Sequence, residues 1–95
     1  MDKVTVEIKK RNRDYGIITW PYSLDYEVKS LFNLENFVTV VVGGKTLENR
    51  KVSYKFRRFS IGKKRIETFL PTSKISIIKE KDYYRIEPED EEEKV

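Results

Sequence analysis

The chain has 95 residues, a formal net charge of +4, and neither Cys nor His. This length accommodates one small domain, and the missing residue types exclude disulfides, Cys/His zinc sites and catalysis by an imidazole or a thiolate. The longest apolar run, residues 40–42, is far short of the roughly 20 residues that cross a bilayer, and no apolar leader precedes the first strand pattern. We therefore expect a cytoplasmic protein without membrane contact.

Residues that favour strands dominate the composition. Val, Ile, Thr, Phe, Tyr and Trp together number 36, against five Leu, one Met and no Ala or Gln. Because the uncharged helix formers are so few, the fold class is predicted to be mostly β. The abundance of Lys and Glu without Gln or Cys is also typical of thermophilic proteins.

The first half of the chain is predicted to hold four strands, one short helix and a glycine hairpin. Residues 4–8 alternate apolar and polar side chains, as a half-buried strand does. A turn is predicted over 12–16, and a second strand over 15–20 stops at Pro21, which cannot donate to a ladder.

A helix is predicted over 24–32, because apolar residues recur there at i, i+4, i+7 and i+8, with Ser23 as its N-cap. The strand Phe37–Val42 follows, closed by Gly43-Gly44, a two-residue hairpin signal. A further strand is expected around Leu47.

The second half is predicted to open with a long strand over 50–61. Arg57-Arg58 breaks its alternation, which indicates a β-bulge or a strong bend. Gly62 then changes the direction of the chain. The remaining predicted elements are a short helix over 66–70, a strand over 75–78, a turn over 80–82 and a strand over 83–86.

Residues 3–50 and 51–87 repeat a similar order of elements. Two interleaved halves of this kind close a barrel and remove open sheet edges. We therefore predict one domain over 1–87, a small closed six- or seven-stranded barrel of two similar ββαβ-like halves with two short helical segments. An OB-like or SH3-like barrel, or a chance similarity of the halves, is the alternative. Residues 88–95 are predicted to be a disordered acidic tail, because a block of like charges repels itself.

The order of elements resembles a known superfamily. The segment 15–21, YGIITWP, followed by the helix pattern and the strand Phe37–Val42, is similar to the swapped-hairpin barrel of AbrB-type transcription regulators. With both halves in one chain it looks more like the single-chain cradle-loop barrels of the RIFT and double-psi types. Gly16 and Pro21 match the regulators' motif, whereas Ile17 stands where they have an arginine and Gly62 replaces a second proline. The resemblance implies the barrel and, less directly, DNA binding.

The charge is distributed unevenly along the chain. Residues 87–95 carry a net charge of −5 and residues 1–86 a net charge of +9, and the stretch 50–65 holds eight basic residues and no acidic one. Such a surplus attracts polyanions. The alternative is that these side chains only keep strand faces soluble. The acidic tail either folds back on the basic face or only solubilises the chain.

Catalysis is not indicated by any constellation of residues. Asp14, Asp25, Glu67 and Asp82 are isolated at predicted turns or in a helix, where capping explains them, and no phosphate-binding glycine spacing is present. We therefore predict a protein that is not an enzyme and has no cofactor or metal.

The predicted function is nucleic-acid binding, with DNA favoured over RNA, led by phosphate contacts and weakly specific for sequence, as in a transcription regulator. The alternatives are an adaptor barrel that docks an acidic protein surface and a barrel that binds a small phosphorylated ligand. We expect a monomer, and Tyr54 and Phe56 are assigned to the core by their alternation with Val52. The predicted cationic contacts are Lys9, Lys10, Arg11, Arg13, Lys55, Arg57, Arg58, Lys63, Lys64 and Arg65, and the candidate aromatic contacts are Trp20, Tyr22 and Tyr26.

Overall fold

Seven strands and three short helices make up the computed structural model, which describes residues 2–67, 69 and 74–89. In chain order the elements are β1 (Lys3–Glu7), α1 (Lys10–Tyr15), β2 (Ile17–Thr19), a 3₁₀ turn (Tyr22–Leu24), α2 (Asp25–Phe32), β3 (Phe37–Val42), β4 (Lys45–Ser53), β5 (Arg58–Ser60), α3 (Lys63–Glu67), β6 (Lys74–Lys79) and β7 (Tyr84–Pro88). No helix in the described residues is both long and apolar enough to cross a membrane.

The strands form one sheet in the order β1-β6-β7-β3-β4-β5-β2. Neighbouring strands are antiparallel except for β3 and β7, which are parallel. The sheet curls into a nearly closed barrel, so the predicted small, mostly-β barrel is confirmed. β1 and β2 are the two edges of this sheet, and the barrel is open between them.

The two halves of the chain differ at this opening. β3–β4 and β6–β7 are antiparallel hairpins in the first and second half. β4 and β5 also form a hairpin, whereas β1 and β2, which the predicted repeat matches to them, are joined by α1 and are not neighbours in the sheet. The opening therefore lies where the first half has a helix instead of a tight turn.

Helix α2 covers the interior of the barrel. Its residues Val28, Leu31 and Phe32 are fully buried, and the Phe32 ring packs edge-on against Phe59 and Tyr84, with ring centroids 5.6 and 4.9 Å apart. This is the favourable geometry for aromatic pairs. The helix begins after the 3₁₀ turn, so Ser23 lies within that turn and is not the predicted N-cap.

Helix α1 replaces the turn that was predicted over 12–16. The one buried residue of this helix, Asn12, is polar, so the sequence has no apolar periodicity that would predict a helix here. The Asn12 side chain accepts a hydrogen bond from the Lys9 backbone N–H (2.7 Å) and donates to Ile17 O and Thr19 Oγ1 (3.0 Å each). Gly16 ends the helix in the left-handed conformation, with φ 66°.

The predicted long strand over 50–61 is two strands joined by a tight turn. β4 ends at Ser53, residues 54–57 form the turn, and β5 begins at Arg58. Arg57 occupies the left-handed region, with φ 55°, which lets the chain reverse. The alternation of apolar and polar residues breaks at Arg57-Arg58 because the chain reverses its direction there. The break therefore marks a hairpin and not a bulge.

The chain leaves the sheet beside the start of β6. Pro88 belongs to β7, and the Glu89 backbone N–H donates to Lys74 O at 3.0 Å. The Glu89 carboxylate accepts a hydrogen bond from Ser76 Oγ and lies 3.5 Å from Lys3 Nζ. These two residues were assigned to the acidic tail from the sequence, and the rest of that segment, 90–95, lies outside the described residues.

Replacing Asn12 with Ala is expected to destabilise the protein by about 2 kcal/mol, because the Lys9 N–H and the Ile17 carbonyl, in part-buried hydrogen bonds, lose their partner together. Urea denaturation measures this change in the free energy of unfolding. The exposed Asn36 provides the matched control, and a loss in Asn12→Ala no larger than that in Asn36→Ala contradicts the bridging role.

Alkaline pH is expected to destabilise the fold through Tyr54. Burial, with the nearby charges of Tyr84 and Glu35, raises the pKa of Tyr54 to about 12, and its neutral hydroxyl donates to Glu35 O. Because the folded pKa is the higher one, this stabilisation is complete below pH ~10 and is lost as the pH rises toward 12. Tyr54→Phe removes a late phenolate step from the absorbance titration at 295 nm, and an unchanged titration curve contradicts the assignment.

Candidate nucleic-acid interface

Arg57 is held in place by three contacts at the β4–β5 turn. Its carbonyl accepts a hydrogen bond from the Trp20 backbone N–H (3.2 Å), its Nε donates to Asp25 Oδ1 (3.0 Å), and its guanidinium carbon lies 5.0 Å from the centre of the Tyr22 ring. A bulky residue at positive φ is uncommon and is kept there only by its surroundings. The structure therefore presents this guanidinium in one defined position.

Asp25 is the residue on which that position depends. Its Oδ1 also accepts a hydrogen bond from the indole Nε1 of Trp20 at 2.9 Å. The Trp20 hydrogen bond is the largest cause that lowers the pKa of the Asp25 carboxyl below its ordinary value; burial opposes it, and the Arg57 guanidinium and Lys29 add to the lowering. The carboxylate thus joins the end of β2 to the β4–β5 turn.

Trp20 is not an exposed aromatic contact. Only 4% of its surface is accessible, because its ring packs edge-on against Tyr54 at 6.4 Å and its N–H is bound to Asp25. Of the three aromatic residues predicted at the surface, Tyr22 and Tyr26 are exposed and Trp20 is part of the core.

Phe56 is exposed, in contrast to the prediction that placed it in the core. The alternation with Val52 ends when β4 ends at Ser53, so Phe56 projects from the turn with 61% of its surface accessible. Arg58 and Lys55 place their charged groups 5.2 and 5.5 Å from the centre of its ring. Tyr54, by contrast, is half-buried and packs against the core, as predicted.

A groove of about 780 Å³ occupies the opening between β1 and β2. We call it the seam groove. Four cationic side chains and one carboxylate lie along it, and the groove is lined by Thr5, Val6, Glu7, Lys9, Arg11, Thr19, Trp20, Pro21, Tyr22, Leu24, Phe56, Arg57 and Lys74.

A second groove, of about 730 Å³, crosses the outer face of β2, β5 and β4. We call it the outer groove. Its charged side chains are all cationic, and its lining consists of Arg11, Tyr15, Ile17, Lys51, Ser53, Phe56, Arg58, Phe59 and Ser60.

Arg11 and Phe56 line both grooves. The two cationic stretches that are distant in sequence therefore meet, α1 supplying Arg11 and the β4–β5 hairpin supplying Arg57 and Arg58. Within the described residues, Arg11 and Arg58 have no carboxylate within 4.0 Å, whereas Arg57 is paired with Asp25 and Lys9 lies 3.9 Å from Glu7.

The other predicted cations line neither the seam groove nor the outer groove. Lys10 forms an ion pair with Asp14 at 2.8 Å, and Arg13 is half-buried in α1. The Lys55 ammonium group lies over the Phe56 ring. Lys63, Lys64 and Arg65 are on α3. That helix packs closely on α1, since a Cβ at Gly16 would collide with the backbone of Gly62 and Lys63.

Sequence reasoning missed five residues of this surface: Tyr15, Lys51, Phe56 and Lys74 in the grooves, and Asp25, which holds Arg57. Lys51 lies in the stretch 50–65, which has no acidic residue, so the charge pattern of the sequence could have predicted it. Lys74 gave no signal, because its place at the opening depends on the pairing of β6 with β1.

Comparison with known proteins adds no family to this description. The chain matches no family model, and neither a curated protein nor a solved structure is significantly similar to it. The resemblance to the cradle-loop barrels therefore stays a prediction. Among the residues that the structure describes, no group of three or more carboxylates comes together that could hold a metal ion.

The emission of Trp20, the one Trp of the chain, is expected to report the protonation of Asp25. Because the folded pKa of Asp25 is depressed, its stabilising charge is complete above pH ~4 and is lost only as the pH falls through the lower folded pKa. The fluorescence and the melting temperature should therefore both change in that acid range. Asp25→Asn is expected to remove the acid fluorescence step, while Asp82→Asn, in the β6–β7 turn, keeps it; a step that survives Asp25→Asn contradicts the assignment.

Proposed function

We propose that this protein binds nucleic acid through the seam and outer grooves, led by phosphate contacts and weakly dependent on base sequence. The observation that supports the proposal most directly is the meeting of Arg11, Arg57 and Arg58 around Phe56. Guanidinium groups are suited to phosphate oxygens, and cationic grooves with exposed aromatic rings are typical of proteins that bind nucleic acids.

Electrostatic balance favours a polyanion over a small anion. The cations are spread along two adjoining grooves of about 780 and 730 Å³ and do not converge on one pocket, so an extended ligand with repeated charges satisfies more of them. The resemblance to AbrB-type regulators favours DNA over RNA. In this proposal the protein acts in the cytoplasm as a monomer, with no cofactor and no catalytic reaction.

An acidic, extended peptide is the second candidate ligand. β1 is an edge of the sheet and three of its residues line the seam groove. The free edge of a strand can pair with an added peptide strand, and the surrounding cations would favour acidic side chains. This arrangement corresponds to an adaptor barrel that docks a protein partner.

The proposal is tested by a fluorescence titration of labelled 15-base single-stranded and 15-base-pair duplex DNA across salt concentrations. Four to six phosphate contacts give a slope of log K against log salt of about −4 to −5 on duplex DNA and about −3 to −4 on a single strand. The double variant Arg11→Ala/Arg58→Ala is expected to reduce the magnitude of the slope by about 1.5 to 2, because two contacts are lost.

The matched control is Lys79→Ala/Lys81→Ala, which removes the same charge near the β6–β7 turn and should leave the slope almost unchanged. Equal slopes for the two double variants, or no binding below ~100 μM at low salt, contradict the proposal. Binding of a polyglutamate peptide in preference to either DNA supports the second candidate.

A further inference from the structure

Three exposed aromatic rings follow the cationic grooves. Tyr22 and Phe56 line the seam groove, and Phe56 and Tyr15 line the outer groove. Tyr22, Phe56 and Tyr15 keep 76, 61 and 70% of their surface accessible. Phe56 is the ring that both grooves share, and it lies beside Arg11 where the two grooves adjoin.

Two of these rings already lie against a guanidinium group. The Arg57 guanidinium carbon is 5.0 Å from the centre of Tyr22, and that of Arg58 is 5.2 Å from the centre of Phe56. Each contact restrains a ring that the core does not hold, and it places a positive charge beside a flat apolar surface. Ring and charge are thus available together to a ligand that carries both a flat group and an anion.

Nucleic acids offer that combination most fully when they are single-stranded. In a duplex the faces of the bases are stacked on one another, and only the phosphates and the base edges in the grooves are accessible. In a single strand the faces of the bases are free to stack on aromatic side chains, largely irrespective of sequence.

We infer that the preferred ligand of this surface is single-stranded nucleic acid, with its phosphates on Arg11 and Arg58 and its bases stacked on Phe56 and Tyr22. The inference rests on the proposed function and goes beyond it by naming the form of the nucleic acid. It also accounts for the exposure of Phe56, which a binding mode based only on phosphates leaves without a purpose.

A strand without bases provides the decisive probe. Fluorescence anisotropy compares three labelled ligands at one salt concentration: a 15-base oligothymidylate, an abasic strand with the same number of phosphates, and a 15-base-pair duplex. Oligothymidylate is expected to bind more tightly than the abasic strand by at least the roughly 5- to 100-fold that one stacked base contributes, and by more when both rings stack a base. It should also bind more tightly than the duplex.

The ring variants locate the stacking. Phe56→Ala and Tyr22→Ala are each expected to lose about 5- to 100-fold in affinity for oligothymidylate and little for the abasic strand. Phe56→Leu keeps an apolar side chain without a π face and should behave as Phe56→Ala does. Tyr26→Ala is the matched control, because Tyr26 is 81% exposed and lines neither groove; its affinities should equal those of the parent protein.

Thermal melting of every variant separates loss of binding from loss of folding, and Phe56→Leu and Tyr22→Leu, which keep an apolar side chain without a π face, serve as milder replacements if an alanine variant unfolds. Equal affinity for oligothymidylate and the abasic strand, tighter binding of the duplex, or ring variants that bind as the parent does, overturns the single-strand inference and leaves phosphate binding in place. Absence of binding to all three ligands overturns the proposed function itself.

Discussion

The hydrogen bonds of Asn12 hold α1 between β1 and β2, and the geometry of the candidate interface depends on them. By accepting from the Lys9 backbone and donating to Ile17 O, this side chain stabilises a six-residue helix where the second half has a tight turn. Because α1 separates β1 from β2, the two strands remain edges of the sheet. The seam groove is the space that a β1–β2 hairpin would otherwise have closed, and the same helix brings Arg11 to it.

Asp25 plays the corresponding role on the opposite wall of the groove. It binds Trp20 and Arg57 through one oxygen, so that an aromatic residue of the core and a cation of the surface share a single anchor. Arg57 is also the residue at positive φ that ends the β4–β5 turn. The same turn exposes the Phe56 side chain to solvent. The arrangement of charge and ring on this face therefore follows from local backbone geometry as much as from composition.

Sequence patterns predicted the barrel well and its surface less well. Phe37–Val42 and the Gly43-Gly44 hairpin were predictable because a strongly apolar strand and a glycine turn are local signals. Helix α1 was not, because its buried residue is the polar Asn12 and its partners lie five to seven residues further along the chain. Phe56 was wrongly assigned to the core because the alternation of apolar and polar residues continues in the sequence from Val52 to Phe56, whereas β4 ends at Ser53. The meeting of Arg11 with Arg58 depends on strand pairing, which no short stretch of sequence encodes.

The exit of the chain from β7 has a practical consequence. The Glu89 backbone is bound to Lys74, and Lys74 lines the seam groove, so anything attached after Glu89 starts beside that groove. Asp2, by contrast, receives a hydrogen bond from Lys79, at the other end of β6. An affinity tag or fluorescent fusion joined ahead of β1 therefore starts near Lys79, whereas one joined after β7 starts from the Lys74 side of the groove.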